Sequence, residues 1–321
     1  MARLPTPDLL ADRRVLTRKL AFWRAAAIGV ALVAALAGGV YAARGGAGAE
    51  GAAQVARIKV SGLITGDEET IKLIRAVAAA DRVKAALVTI ESPGGTTAGS
   101  ERLYKELRKL SAKKPVVAMV GTMAASGGYI AALAADQIVA QETSIVGSIG
   151  VVYQNPNLAR TLDMLGVKVE EIKSSPLKAS PNPYSPTSEE ARAAMQAMIA
   201  DSFEWFKGLV RERRGLDGAA LAAVADGRVF TGRQSLPLKL VDRLGEETEA
   251  RAWLAQARGV PASLPARDWK PPRGTLARMG LAEAGAAALD AAGLRSAAAL
   301  LRSDAVGAVA LDGLVSVWQG P

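Results

Sequence analysis

Along this chain the spacing of apolar and polar residues switches repeatedly between the period of a strand and that of a helix. Val55 to Val60 alternates apolar and polar positions, as a half-buried strand does, and Thr70 to Ala80 then places Ile71, Leu73, Ile74 and Val77 at helical spacing. Ala85 to Ile90 is a continuous apolar run, read as a buried strand, and it leads into Glu91-Ser92-Pro93-Gly94-Gly95. Thr96 to Leu110 is an amphipathic helix with Leu103, Leu107 and Leu110 on one face. Pro115 to Val120 predicts a second buried strand, which passes through Gly121 into the small residues around Ser126. Ile130 to Ala135 continues as helix and Gln137 to Ala140 as strand. Further on, Leu158 to Leu165 predicts a helix, Val167 to Ile172 a strand, and Ser174 to Pro186 a Ser/Pro-rich loop. Thr187-Ser188-Glu189-Glu190 is the capping start of a long helix running toward Arg214. Gly227 to Phe230 and Lys239 to Val241 read as short strands before a last helix from about Glu246. Strands separated by helices of this length predict an α/β fold built on a parallel sheet.

Two flanks fall outside that pattern. Ala25 to Ala43 is a run of 19 uncharged, almost wholly apolar residues, and at ~1.5 Å rise per residue it nearly spans a ~30 Å hydrocarbon layer. Arg3, Arg13, Arg14, Arg18, Lys19 and Arg24 precede it, against only Asp8 and Asp12. The expectation is a retained transmembrane anchor with its amino-terminal side in the cytoplasm and the bulk of the chain across the membrane. The competing reading is a cleaved leader with Ala47-Gly48-Ala49 as the cut site, but the apolar run exceeds the usual ~7–15 residues of such a core. The domain plan is therefore a basic leader (1–24), an anchor (25–43), a linker (44–54), a folded domain (55–260) and an Ala-rich tail (261–321) of unassigned role.

Composition narrows the chemistry sharply. The chain has no Cys, which excludes disulfides, thiolate nucleophiles and Cys-ligated metals, and no His, which excludes Ser-His-Asp triads and HExxH zinc sites. No metal or other cofactor is implied. The net charge of +9 is concentrated partly in the leader, and no basic-aromatic pattern accompanies the rest, so nucleic acid is not an expected partner.

Acid–base work must then fall to Lys, Asp, Glu or Tyr. Ser126, in Ala124-Ala125-Ser126-Gly127-Gly128-Tyr129, follows a buried strand and opens a helix. Free N–H groups and a partial positive charge collect there, and nucleophilic serines favour such a place; an ordinary helix-capping serine has the same local look. Ser92-Pro93-Gly94-Gly95 ends an earlier strand on the same sheet edge, where backbone N–H groups can face an oxyanion. Without His, a serine nucleophile needs a neutral lysine as its base. Lys168, Lys173 and Lys178 are the downstream candidates, and residue chemistry alone leaves the choice open. Tyr129 and Tyr153 read as packing residues around the crevice.

These stretches resemble the signal peptide peptidase SppA family in its short, single-repeat form. The resemblance adds Gly147-Ser148-Ile149-Gly150-Val151, the Lys178 loop leading to Thr187, Gly227-Arg228-Val229-Phe230-Thr231-Gly232 and Leu240-Val241-Asp242-Arg243-Leu244-Gly245, and covers residues from about 55 to 258. It implies a ClpP/crotonase-like fold and a membrane-anchored serine endopeptidase working through a Ser-Lys dyad. Ser126 would be the nucleophile and Lys178 the general base, with Ser148 orienting the lysine and the N–H groups of Gly94 and Gly127 forming the oxyanion hole. It further implies a homo-oligomer on the outer side of a bacterial cytoplasmic membrane, acting on signal peptides left in the membrane and other envelope proteins. The rival functions are a protease of the same superfamily devoted to one membrane protein, a crotonase-like acyl-CoA enzyme, and a scaffold without activity.

Overall fold

The computed structural model describes Lys19, residues 22–24, residues 52–270 and the strand backbone at 315–317. The expected anchor at 25–43 lies outside the described residues; among those described, no helix is long and apolar enough to cross a membrane.

The domain is built on one mixed, mostly parallel sheet. β1 (Gln54–Ile64), β2 (Val83–Thr96) and β3 (Val116–Ala125) lie side by side and parallel, connected through α1 (Glu68–Ala79) and α2 (Thr97–Ser111). β4 (Gln137–Ala140) pairs with the first half of β3 and β5 (Ile145–Gly147) with its second half, both parallel. β6 (Val229–Thr231) runs antiparallel to β5, β7 (Arg243–Leu244) parallel to β4, and β8 (Ala266–Asp268) parallel to β1. The sheet thus continues past Pro261, where the apolar pattern fades; Trp269 N–H donates to the Arg57 carbonyl at 2.8 Å. β9 (Val315–Val317) is antiparallel to the end of β2.

The helices start where the sequence supplies caps. Asp67 accepts from Thr70 N–H, Thr96 from Gly99 N–H, and Ser188 from Ala191 N–H, opening α1, α2 and the 26-residue α5 (Glu189–Arg214). Gly215 ends α5 in the left-handed conformation, at φ +63°.

Both sheet faces are covered. Ala56, Ile58 and Val60 of β1 and Ala86, Val88 and Ile90 of β2 pack on one side against Leu73, Ile74 and Val77 of α1, Leu103, Leu107 and Leu110 of α2, and Phe206 and Val210 of α5. On the other side Val55, Leu87, Val117 and Val139 meet Ala250 and Leu254 of α8 (Glu247–Arg258). Residues of opposite parity thus go to opposite layers, which is why the central strands read as unbroken apolar runs. Each fully buried Leu, Ile or Val contributes about 1.5–3 kcal/mol.

The remaining helices are short: α3 (Gly127–Leu133), α4 (Ala159–Met164), α6 (Gly218–Val224) and the one-turn α7 (Gly232–Ser235). α3 is wholly buried. Its end is fixed by Arg213 of α5, whose guanidinium donates to the Leu133 carbonyl at 2.9 Å and the Ala135 carbonyl at 2.8 Å, so carbonyls at the helix end are not left unpaired.

Two expected strands do not form. Val167 to Ile172 forms no regular element, and Val167, Val169 and Ile172 are exposed; its alternation is strand-like, yet no described sheet edge receives it. Lys239 to Val241 is a turn, with Lys239 at φ +59°, and the strand follows at β7. There Leu240 and Val241 are buried in the core by a loop, so apolarity marked burial without marking a strand.

Candidate active site

The sharpest local feature is the junction between β3 and α3. Ala125 is the last residue of β3 and pairs with Gly147 of β5; Ser126 N–H donates to the Gly147 carbonyl at 2.8 Å. The chain then turns abruptly. Ser126 has φ +54° and ψ −117°, a conformation that side chains with a Cβ rarely adopt, and costs of order 1–3 kcal/mol. Its carbonyl accepts from Tyr129 and Ile130 N–H at 2.9 and 3.0 Å, while its side chain makes no helix-capping bond. A serine whose side chain does not cap the helix and whose backbone is strained at a strand-to-helix elbow differs from an ordinary N-cap. It is 1% exposed.

The elbow is packed against the end of β2, and glycine is required for the approach. A Cβ on Gly127 would lie 2.3 Å from Ser100 Oγ, 3.0 Å from Gly95 N and 3.3 Å from Gly94 C. One on Gly128 would lie 2.7 Å from the Ser92 carbonyl oxygen. Ser126, Gly127, Gly94 and Gly95 therefore meet at one place, the carboxyl end of the central strands, where open α/β sheets hold their ligands.

Ser148 joins them from the next strand. It follows Gly147 as Ser126 follows Ala125, and parallel neighbours stand about 4.8 Å apart. Ser148 is also at positive φ, +51°, is 7% exposed, and is held by its N–H donating to the Arg228 carbonyl at 2.8 Å. Two strained serines thus end adjacent strands.

Gly94 has φ +122°, and its N–H donates to Ser92 Oγ at 3.1 Å; the Ser92 hydroxyl in turn donates to the Gly62 carbonyl at 2.6 Å. Ser92 is the residue that sequence reading left inside a motif without a part of its own. Ser100 was missed altogether. It is fully buried, its hydroxyl has no hydrogen-bond partner among the described residues, and it faces Gly127. Its position three and seven residues before Leu103 and Leu107, on the buried stripe of α2, was the available signal.

The lysines sit elsewhere. Lys178 is exposed in a turn where its N–H donates to the Ser175 carbonyl at 3.1 Å, beside Ala179 at φ +55°. Among the described residues its side chain enters no ion pair. Lys173 is paired with Glu171 at 2.8 Å. Lys168 is exposed. The segment carrying all three, residues 152–186, is the least packed part of the domain. α4 has no buried residue, and Met164 and Leu165 are 74% and 71% exposed.

Tyr129 is fully buried and donates to the Leu240 carbonyl at 2.8 Å; burial pushes its phenol pKa up, so it stays a neutral donor. It is part of the buried core. Among the described residues no cluster of acidic side chains is arranged to hold a metal.

The model of peptidase family S49 matches residues 108–261. A Synechocystis protein provisionally named a protease is 39% identical over 208 residues, which cover 64% of this chain and 75% of that one. A chloroplastic serine protease, SPPA, of Arabidopsis thaliana is 31% identical over 198 residues, 60% of this chain and 29% of that one. An Enterococcus faecium protein provisionally named signal peptide peptidase SppA is 35% identical over 127 residues, 40% of this chain and 37% of its own length. The chain therefore spans most of the Synechocystis relative but little more than a third, or less, of the other two.

Proposed function

The chain belongs to peptidase family S49, and from that premise we propose that it is a serine endopeptidase in which Ser126 is the nucleophile and Lys178 the general base. The observation that carries the proposal is the Ser126 elbow: a buried serine at φ +54°, its hydroxyl not spent on capping, wedged between the glycines of β2 and the start of α3.

The mechanism follows from the parts. Neutral Lys178 takes the Ser126 proton, and Ser126 Oγ attacks the carbonyl carbon of a peptide bond in an extended substrate. Negative charge gathers on the carbonyl oxygen. The N–H of Gly127, at the start of α3, stabilises it together with the N–H of Gly94, which exchanges Ser92 Oγ for the oxyanion. Each such donor contributes about 3 kcal/mol. The lysine passes its proton to the departing amine, and water then resolves the acyl-enzyme with the same lysine as base. Ser148, ending the strand next to Ser126, holds the lysine amine in line.

A lysine serves as a base only when desolvated, and Lys178 is exposed in the single chain. Met164, Leu165, Val169, Ile172 and Leu177 of the same 152–186 segment are exposed as well, and exposed apolar surface of this kind is commonly covered by a partner. We propose that a second copy of the chain covers this arm and that the homo-oligomer is the active form. The finer reading, supported by the sequence of 1–43 and by the family, is a ClpP/crotonase-like domain anchored by residues 25–43 on the outer side of a bacterial cytoplasmic membrane, with residual signal peptides as substrates.

The test is covalent. A fluorophosphonate probe, which phosphonylates activated serines with loss of fluoride, is expected to label one peptide of the intact chain, at Ser126, and labelling is expected to be lost in Ser126→Ala and strongly reduced in Lys178→Ala. Labelling at another serine, undiminished in Ser126→Ala, contradicts the assignment.

A further inference from the structure

The arm 152–186 has a polar centre where a domain would have an apolar one. Of its residues only Asn182 is buried, at 7% exposure. Burying an amide is costly unless its oxygen and nitrogen both find partners, and here both do. Asn182 Oδ1 accepts from the N–H groups of Tyr184 and Ser185 at 2.9 and 3.0 Å, and from the Ser185 hydroxyl at 3.1 Å. Asn182 Nδ2 donates to the Glu171 carboxylate at 3.0 Å and, at 3.4 Å, to the Ala179 carbonyl. The Asn182 backbone carbonyl accepts from Asn155 Nδ2 at 3.0 Å, and the neighbouring Pro183 carbonyl accepts from Leu158 N–H at 2.7 Å.

One residue thus ties three passages of the arm together: the start at 155–158, the return at Glu171, and the turn that carries Lys178. That turn needs an outside hold. Its own bonds, Lys178 N–H to the Ser175 carbonyl and Ser180 N–H to the Leu177 carbonyl, close within it and attach it to nothing else. Ala179, next to Lys178, is at φ +55°, a conformation that persists only where the surroundings impose it. We infer that Asn182 is a positioning residue for the reaction: it fixes the Lys178 turn to the rest of the arm, so that the arm presents the lysine as one preset body. This rests on the peptidase reading above, with Lys178 as the base. Asn182 acts through that lysine and not on the substrate. The stake is large, because a misplacement of ~1 Å at a reacting group costs on the order of 100-fold in rate.

Hydrolysis of a short apolar fluorogenic peptide by the full chain is compared across variants. Asn182→Ala is expected to lower kcat by on the order of 100-fold with KM nearly unchanged. Asn182→Asp keeps the acceptor bonds but sets a second carboxylate against Glu171, so kcat is expected to fall as well. Adding Glu171→Gln reverses donor and acceptor at unchanged net charge and is expected to restore most of the loss. Fluorophosphonate labelling of Ser126 then separates positioning from general damage. A residue that acts through another has no further effect once that other is gone, so Asn182→Ala/Lys178→Ala is expected to label at the rate of Lys178→Ala alone. An unchanged kcat in Asn182→Ala, or a further loss of labelling in the double variant, overturns the inference. If even the wild type shows no Ser126-dependent turnover or labelling, it is the peptidase reading that fails. The hold on the turn is then decided by amide hydrogen exchange over residues 176–187. Exchange faster by on the order of tenfold in Asn182→Ala, with β2 and β3 unchanged, supports it; unchanged exchange at 176–187, or faster exchange throughout the sheet, overturns it.

Discussion

Two regions of this molecule carry the proposed chemistry, and they are built in opposite ways. Ser126 and Ser148 end neighbouring strands of a buried sheet, each forced to positive φ and each fixed by a backbone hydrogen bond of 2.8 Å. Lys178 sits on the arm 152–186, in a turn with its side chain in solvent and apolar neighbours that cover nothing. The buried region can hold strain because the sheet and two helix layers over-determine it. The exposed region holds none of its own geometry through packing. Under the proposed function the nucleophile is preformed, whereas the base is desolvated only when something else covers the arm, so that catalytic competence depends on assembly or substrate engagement.

The largest expected effect falls in the buried region. Ser126→Ala is expected to lower peptide turnover by at least about 1000-fold, since the nucleophile has no substitute, with thermal stability nearly unchanged because alanine keeps the Cβ at the same strained φ. Gly95→Ala sharpens the same side of the comparison through structure. Its Cβ would lie 1.9 Å from the Ile64 carbonyl oxygen, so a loss of about 3 kcal/mol in a denaturant titration is expected, together with loss of activity.

The arm should respond in the reverse sense. Ile172→Glu, in a fully exposed residue, is expected to change unfolding free energy by less than about 0.5 kcal/mol while weakening self-association, seen as a shift toward monomer in sedimentation velocity and a parallel drop in activity. A large stability loss without a change in association would break the contrast drawn here.

The smallest effect lies away from both regions. Glu106 of α2 is buried between Arg75 and Lys109, and hydrogen bonds from both cations lower its carboxyl pKa to about 2. A carboxylate whose folded pKa is depressed adds stability that is complete above its unfolded value and is lost as pH falls. Glu106→Gln should therefore cost about 1–2 kcal/mol at pH 7, discounted for the exposed partners, and the difference from wild type should vanish between about pH 4.5 and 2.

Legibility in the sequence followed packing. Ala85 to Ile90 and Pro115 to Val120 were readable because strands covered on both faces leave unbroken apolar runs, and Ser188 because a cap is a local signal. β2 continued six residues beyond Ile90, through Ser92-Pro93-Gly94-Gly95, because β1 and β9 pair with it there; turn-forming residues gave no hint of those partners. Val167 to Ile172 carried the alternation of a strand but had no edge to join. β5 was missed because three residues between Ser144 and Ser148 have no period to detect. The elbow serine was legible as a candidate, but its strain was not, since a positive φ at a non-glycine residue is imposed by tertiary structure. The choice among Lys168, Lys173 and Lys178 was closed to residue chemistry alone.

The most direct test is the rate of hydrolysis of a signal-peptide-derived fluorogenic peptide by the intact chain, compared across Ser126→Ala, Lys178→Ala and Lys173→Ala. The account predicts that the first two abolish turnover and that Lys173→Ala retains it; turnover that persists in Ser126→Ala would contradict it.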